Sequence, residues 1–264
     1  MSAPEARPVP FRGGGFVRRP RRLVSLSALF GLVLAWQAAS WSGLANPLFL
    51  PAPAMVAAAL WELARSGALA QHLLASLGRV AGGWLIGTGL GLAAGLAVGI
   101  FATARAAGMP LVSALFPIPK IAVLPLFILW FGIGEPSKVA TIAAGVFFPT
   151  VIAAAGGVDA VPRSLVRMGQ SFGLPAWAIV WRIVVPGALP SVLAGFRITV
   201  AIAVILVVAA EMIGADTGLG AFVLMAGNLM RTDQLLAGVV VLSLVGLSAA
   251  GLVSLAERLL LRWR

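Results

Sequence analysis

The sequence contains no cysteine, no tyrosine and a single histidine, His72, and only eight of its 264 residues are acidic. Without cysteine there is no disulfide framework and no thiolate metal site. One histidine with no carboxylate cluster beside it reads as an interfacial polar residue rather than a metal ligand. Charged residues make up 10% of the chain, where an ordinary soluble domain carries about 25%. That shortage excludes a cytosolic globule and a disordered chain alike. The eight acids are scattered, mostly in loops, and provide no paired carboxylates for acid–base work inside the apolar segments. No G-x-x-x-x-G-K-[ST] phosphate cradle exists, because the only lysines, Lys120 and Lys138, follow Pro119 and Ser137. H-E-x-x-H and G-x-S-x-G are absent too. The chain carries no visible catalytic, cofactor-binding or metal site and does not read as an enzyme.

What it has in abundance is apolar surface: 61% hydrophobic residues and a mean hydropathy of +1.05. Such a composition predicts an all-α, polytopic bundle of membrane helices. A span needs about 20 apolar residues. The gaps between charges supply four, at 23–41, 80–104, 139–158 and 234–256. Two more stretches, interrupted by Lys120 and Arg197, place spans at about 111–131 and 192–213. The predicted total is six transmembrane helices.

Lysine and arginine placement sets the orientation. With both termini cytoplasmic, thirteen basic residues fall inside and four (Arg65, Arg79, Lys138 and Arg231) outside. The formal charge of +11 is thus mainly a topology signal and not a nucleic-acid footprint. The first span, longer than a usual signal h-region and with no A-x-A site, reads as a retained helix.

Along the chain, 1–22 is a basic cytosolic tail, 23–41 the first helix, and 42–79 an outer segment. In that segment Pro47, Pro51 and Pro53 precede an amphipathic helix spaced over 54–80. Residues 258–264 form a basic cytosolic end. In the second span Gly83, Gly87, Gly91, Gly95 and Gly99 repeat every fourth residue, a face for close helix approach. Its partner is either another helix of this chain or a second copy. Pro117 and Pro119 interrupt or kink the third span. Lys120, next to them, either reaches the cytoplasmic headgroups or serves the pathway as an anion contact or lock. Glu211, near the outer end of span five, is either a structural partner or a gate residue. Arg197 lies fourteen residues away on the same helix, roughly 21 Å, too far to pair with it.

The cytoplasmic loop 159–190 is the most informative stretch. Ser164 to Phe172 can form a short helix, with Pro162 at its start and Gly173 and Pro175 closing it. The apolar second half is broken by Pro186 and Pro190. Gly173, followed nine residues later by Ile183, Val184, Val185 and Pro186, resembles the loop of inner-membrane permease subunits of binding-protein-dependent ABC importers. Their pattern is EAA, three residues, Gly, nine residues, Ile, one residue, Leu-Pro. Here Val stands for Leu, and Arg167, Met168 and Gly169 occupy the EAA positions. Segments 50–80, 117–138 and 210–220 are similar to the sulfonate, taurine and nitrate branch.

The resemblance implies a type I ABC importer permease fold over about 75–257 and a bacterial inner-membrane location. It implies a small, anionic solute, with pyrimidine, riboflavin-like or aromatic-acid solutes as the alternative. Implied partners are a second permease copy in a homodimer, ABC ATPases that hold ATP and Mg, an extracytoplasmic solute-binding protein and the lipid bilayer. The loop residues Ser164, Arg167, Met168, Gly169, Ser171, Phe172, Gly173, Ile183 and Pro186 would meet the ATPase. Lys120, Arg197 and Glu211 are the pathway or gate candidates. A secondary carrier working alone, the less favoured reading, should show midplane charge clusters and internal repeats, and neither is evident.

Overall fold

The computed structural model describes residues 22–43 and 46–261, and their secondary structure is helical. The chain divides into two units, one up to Ala54 and one from Met55 onward. The first holds α1 (Arg22–Trp41), a 20-residue apolar helix, followed by a proline-rich turn. There the Ala54 amide donates to Gln37 Oε1 at 3.3 Å. The basic tail and the last three residues lie outside the described residues.

The second unit begins within α2 (Pro53–Arg65), which ends before Gly67 in the left-handed region at φ 78°. The amphipathic segment therefore does not run on to residue 80. Ala68 instead opens α3 (Ala68–Ile100), a 33-residue helix that includes His72 and Arg79 as well as the second span. An unbroken apolar spacing from 68 onward carries these polar residues into the bundle.

Next come α4 (Ala102–Leu115), a 3-10 turn (Lys120–Val123) and α5 (Leu124–Phe131). The third span, expected to be kinked or interrupted at Pro117 and Pro119, is this pair, bent by 89°. Pro117 and Pro119 have no N–H for the carbonyls of the preceding turn, so the helix stops there. Beyond it lie α6 (Glu135–Asp159) and α7 (Arg163–Ser171), then α8 (Ala176–Ile179) and a π turn (Val180–Val184). α9 (Val185–Gly214), α10 (Leu219–Asn228) and α11 (Thr232–Leu260) complete the order.

Residues 176–214 form one 39-residue helix, so Pro186 and Pro190 do not break it as expected. Pro186 occupies the first turn of α9, and the wider π turn just before it absorbs the missing donor. Among the described residues four helices are long and apolar enough to cross a bilayer, or five with the bent pair taken as one. The six-span expectation is thus not reproduced one for one: α1 adds a shorter apolar helix, and the third span is broken.

α3 packs along α6, and α6 along α9, with α10 and α11 against α9. Their shared core is Ile142, Val146, Ala203, Leu206 and Val207, with Val80 and Trp84 of α3 against it. The glycine row of α3 faces α6 of the same chain. A methyl at Gly91 would sit 2.7 Å from the Phe147 carbonyl oxygen, and one at Gly95 equally close to that of Val151. Gly83, Gly87 and Gly99 continue the row against Ile142, Ala143 and Val158. Lipid offers no hydrophobic reason for two helices to associate, so this backbone approach supplies dispersion contact instead. Buried hydroxyls are satisfied locally: Thr141 donates to Ser137 O at 2.8 Å and Thr150 to Val146 O at 2.7 Å. Trp84 Nε1 donates across to Thr199 Oγ1 at 3.0 Å, joining α3 to α9.

Candidate coupling segment and charge network

Between α6 and the 176–214 helix the chain leaves the bundle and returns. α7 is strongly two-faced: Gly169 is buried, whereas Ser164, Arg167, Met168 and the neighbouring Phe172 are exposed. Its end is closed by Gly173 at φ 72°, with the Leu174 amide donating to Gly169 O at 3.0 Å and the Gly173 amide to Gln170 O at 2.9 Å. Ser171 Oγ donates back to Arg167 O at 3.0 Å. A methyl at Gly169 would meet Ile183 at 3.0 Å and Ile179 at 3.3 Å. The two halves of the sequence pattern therefore touch: Gly169 packs on Ile183, and Pro186 follows one turn later on α9. Where the family pattern has Ala, Gly169 keeps a small residue at the buried position. The positions of Glu and the first Ala, here Arg167 and Met168, face outward. Phe172, 79% exposed, with Trp177 and Trp181, adds an aromatic rim to the same segment.

At the opposite end of the helices lies a knot of polar groups. Arg79 of α3 is 3% exposed and Glu211 of α9 is 1% exposed. Arg79 Nη1 donates to Glu211 Oε1 at 2.7 Å and to the Thr217 carbonyl at 2.6 Å. Its Nε and Nη2 donate to the two oxygens of Glu135, at the start of α6, at 2.7 and 2.6 Å. Glu211 also accepts from Ser76 Oγ at 2.8 Å and from the Gly220 amide at 2.8 Å. The Leu219 amide donates to Ser76 Oγ at 2.8 Å, and the Gly218 amide to His72 Nδ1 at 3.1 Å. The His72 ring lies 5.3 Å from that of Phe222. One guanidinium thus ties α3, α6, α9 and the turn before α10 into a single unit. A buried acid and base persist only when paired and hydrogen-bonded, and here both are.

The ion pairs near the α7 end are more exposed to solvent. Arg197 Nη2 donates to Glu257 Oε2 at 2.5 Å and to Ser254 Oγ at 3.2 Å, tying α9 to α11. Arg105 pairs with Asp159, linking α4 to the end of α6. Lys120 does something else again. Its Nζ donates to the carbonyls of Leu115 and Ile118 at 2.8 Å each and of Phe116 at 3.4 Å, and it stands 4.6 Å over the Phe148 ring. Pro119 occupies the place whose N–H would have served Leu115 O, and the ammonium replaces that donor.

Sequence reasoning singled out Glu211 but missed Arg79, Ser76 and Glu135. Counting charge gaps assigned Arg79 to a loop because the gap opens one residue later. The helical spacing from Ala68 was the signal that could have placed it inside. Arg197, Lys120 and Glu211 do not converge on one site. Each has its own partners on a different level of the bundle. Among the described residues no three His, Cys, Asp or Glu side chains are grouped to hold a metal ion.

Comparison with known proteins agrees with this geometry. Residues 87–262 match the family described as binding-protein-dependent transport system inner membrane component. The taurine transport system permease protein TauC of Escherichia coli is 36% identical over 242 residues, covering 89% of this chain and 88% of the relative. SsuC of Bacillus subtilis, named for aliphatic sulfonates transport, is 34% identical, covering 88% of this chain and 84% of the relative. The inward-facing structure of the MetNI methionine ABC transporter superimposes with a TM-score of 0.60 at 19% identity. It covers 74% of this chain and 95% of the other. The buried charge knot, the glycine-packed helices and the protruding α7 are therefore features of a chain that belongs to the inner-membrane component family of binding-protein-dependent transport systems, as the multi-pass permease subunit of an ABC importer.

Proposed function

We propose that this chain forms half of the pathway for a small organic anion of the sulfonate class, paired with a second copy of itself. A solute-binding protein delivers the solute at the face of the Arg79–Glu211 knot, and ATPase subunits holding ATP and Mg dock at the opposite, cytoplasmic face. Both chain termini lie on that cytoplasmic side, in keeping with the excess of basic residues. The solute class rests on the names of the relatives at 34–36% identity and on the one lysine at the helix break. Ser164, Arg167, Met168, Ser171 and Phe172 of the α7 segment form the surface that meets the ATPase. Gly169, Gly173, Ile183 and Pro186 hold that surface on the long helix.

The observation that carries this reading is mechanical. α7 is exposed on one side, yet it is pinned through Gly169 and Ile183 to a helix of 39 residues. A push on α7 is then delivered through Ile183 along roughly 42 Å of helix to Glu211 and the far knot. Closure of the ATPase pair would tilt that helix, close the pathway at one face and open it at the other.

The chain has no cysteine, so single introduced thiols report cleanly. Arg167→Cys or Met168→Cys should cross-link to a cysteine on the co-expressed ATPase, with an efficiency that changes between ATP-bound and nucleotide-free complexes. A complex that assembles and pumps without any cross-link across 163–186 would overturn the reading.

A further inference from the structure

Lys120 sits opposite the middle of the bundle. Its neighbour Phe148 lies thirteen residues from Glu135 and eleven from Asp159, the two ends of α6, or about 20 and 16 Å along the helix. Three backbone carbonyls accept its hydrogen bonds, but among the described residues no carboxylate pairs with it. Arg79 has two, and Arg105 and Arg197 have one each. Lys120 is therefore a cation at mid-depth whose hydrogen bonds go to neutral carbonyls and whose charge, among the described residues, has no carboxylate beside it, a costly arrangement at that depth.

It also borders open space. A cleft of 220 Å³ is lined by Pro119, Lys120, Gly145 and Ile202 among others. Phe116 and Pro149 are shared with a second cleft of 490 Å³ that runs on toward Ser191 past Ile152, Ala194 and Ile198. Together they form a groove between the helix break, α6 and α9, with one cation at one end and otherwise apolar walls apart from Ser191.

We infer that this groove is a transit site for an organic monoanion, whose charged head takes an N–H of Lys120 and whose short aliphatic body lies along Pro149, Ala194 and Ile198. The inference rests on the sulfonate reading above and deepens it. The Phe116 carbonyl, at 3.4 Å the longest of the three acceptors, is the one the anion displaces. A single negative charge neutralises the lysine, whereas a dianion would leave a net charge in an apolar groove. A sulfonate is always ionised and spreads its charge over three oxygens, so it is cheaper to strip of water than a compact carboxylate.

The test uses the complete importer, with its ATPase and binding protein, in proteoliposomes. Uptake of propane-1-sulfonate and octane-1-sulfonate and melting of the complex with each compound are measured for wild type, Lys120→Met, Lys120→Arg and Ala194→Phe. Lys120→Met should lose uptake of both by about tenfold or more, the effect of one charge-assisted hydrogen bond, together with the sulfonate-induced rise in melting temperature. Lys120→Arg should restore most of both. Ala194→Phe, remote from the carbonyls that Lys120 holds, should exclude the octyl compound and keep the propyl one. It decides the matter if Lys120→Met fails to assemble. Equal uptake by wild type and Lys120→Met, or no chain-length discrimination in Ala194→Phe, overturns this inference alone. A wild-type complex that moves no sulfonate overturns the preceding reading and this one with it. A melting shift caused by phosphatidylglycerol, lost in Lys120→Met and not produced by propane-1-sulfonate, makes the groove a lipid site and refutes the proposal.

Discussion

Arg79 and Glu211, 132 positions apart in sequence, meet at 2.7 Å with both side chains withdrawn from solvent. Their pairing is what holds the ends of α3 and α9 together, and it separates two kinds of charge in this chain. Buried partners are coupled to the fold, while exposed ones mostly decorate it.

Removing one side of the buried pair should be costly, because the other is left uncompensated. Arg79→Ala should destabilise the detergent-solubilised permease by about 3–5 kcal/mol. Glu211→Ala should cost less, since Arg79 keeps Glu135. Glu135 is 62% exposed in its side chain, so Glu135→Ala should cost only about 0–1 kcal/mol. Thermal melting of the three variants checks the order, and an Arg79→Ala protein as stable as wild type would contradict it.

The glycine row makes a contrast within one helix. Gly91→Ala drives a methyl onto the Phe147 carbonyl and should cost about 1–3 kcal/mol through displacement of α3 from α6. Gly89 has nothing within 4 Å of an added methyl. Gly89→Ala should change stability by no more than about 0.5 kcal/mol. Unfolding in a graded detergent–denaturant series resolves the two.

Gly173 ends α7 with a positive φ of 72°, a conformation that costs other residues about 1–2 kcal/mol. Gly173→Ala leaves the bundle core untouched, so melting should change little while ATP-driven uptake falls and ATP hydrolysis becomes uncoupled from it. Parallel uptake and hydrolysis assays would expose unchanged coupling, the result that counts against α7 as transmitter.

Arg197 is 51% exposed and its partner Glu257 33% exposed. Arg197→Ala should therefore shift stability by about 1 kcal/mol or less, and added salt should erase much of the difference. A loss near that of Arg79→Ala would mean that α9 and α11 depend on this link far more than its exposure allows.

The helices and their faces were legible before any coordinates because lipid imposes a single demand, an apolar run long enough to cross. The gaps between charges located α6 and α11 to within about four residues at each end, whereas α3 starts well before the span placed at 80–104 and α9 well before the one placed at 192–213. Local chemistry was legible too: Pro162 and Gly173 bracket α7 because one favours the start of a helix and the other tolerates its left-handed end. The repeat Gly83 to Gly99 announced a close helix contact without naming the partner.

Pairings between distant residues were not legible, because nothing local to Arg79 records that Ser76, Glu135, Glu211 and Thr217 surround it. The prolines at 117 and 119 forecast an interruption, but neither the 89° angle nor the return of Lys120 to the carbonyls of Leu115, Phe116 and Ile118 could be read from them. Pro186 promised a break that a π turn removed, since the backbone could trade one hydrogen-bond register for another while the apolar faces stayed buried. Composition and spacing thus decided that the chain is a membrane bundle with a protruding segment. Tertiary packing decided which charges are locked together and that Lys120 borders a cleft with carbonyls for hydrogen-bond partners, because burial and pairing are properties of neighbours in space rather than in sequence.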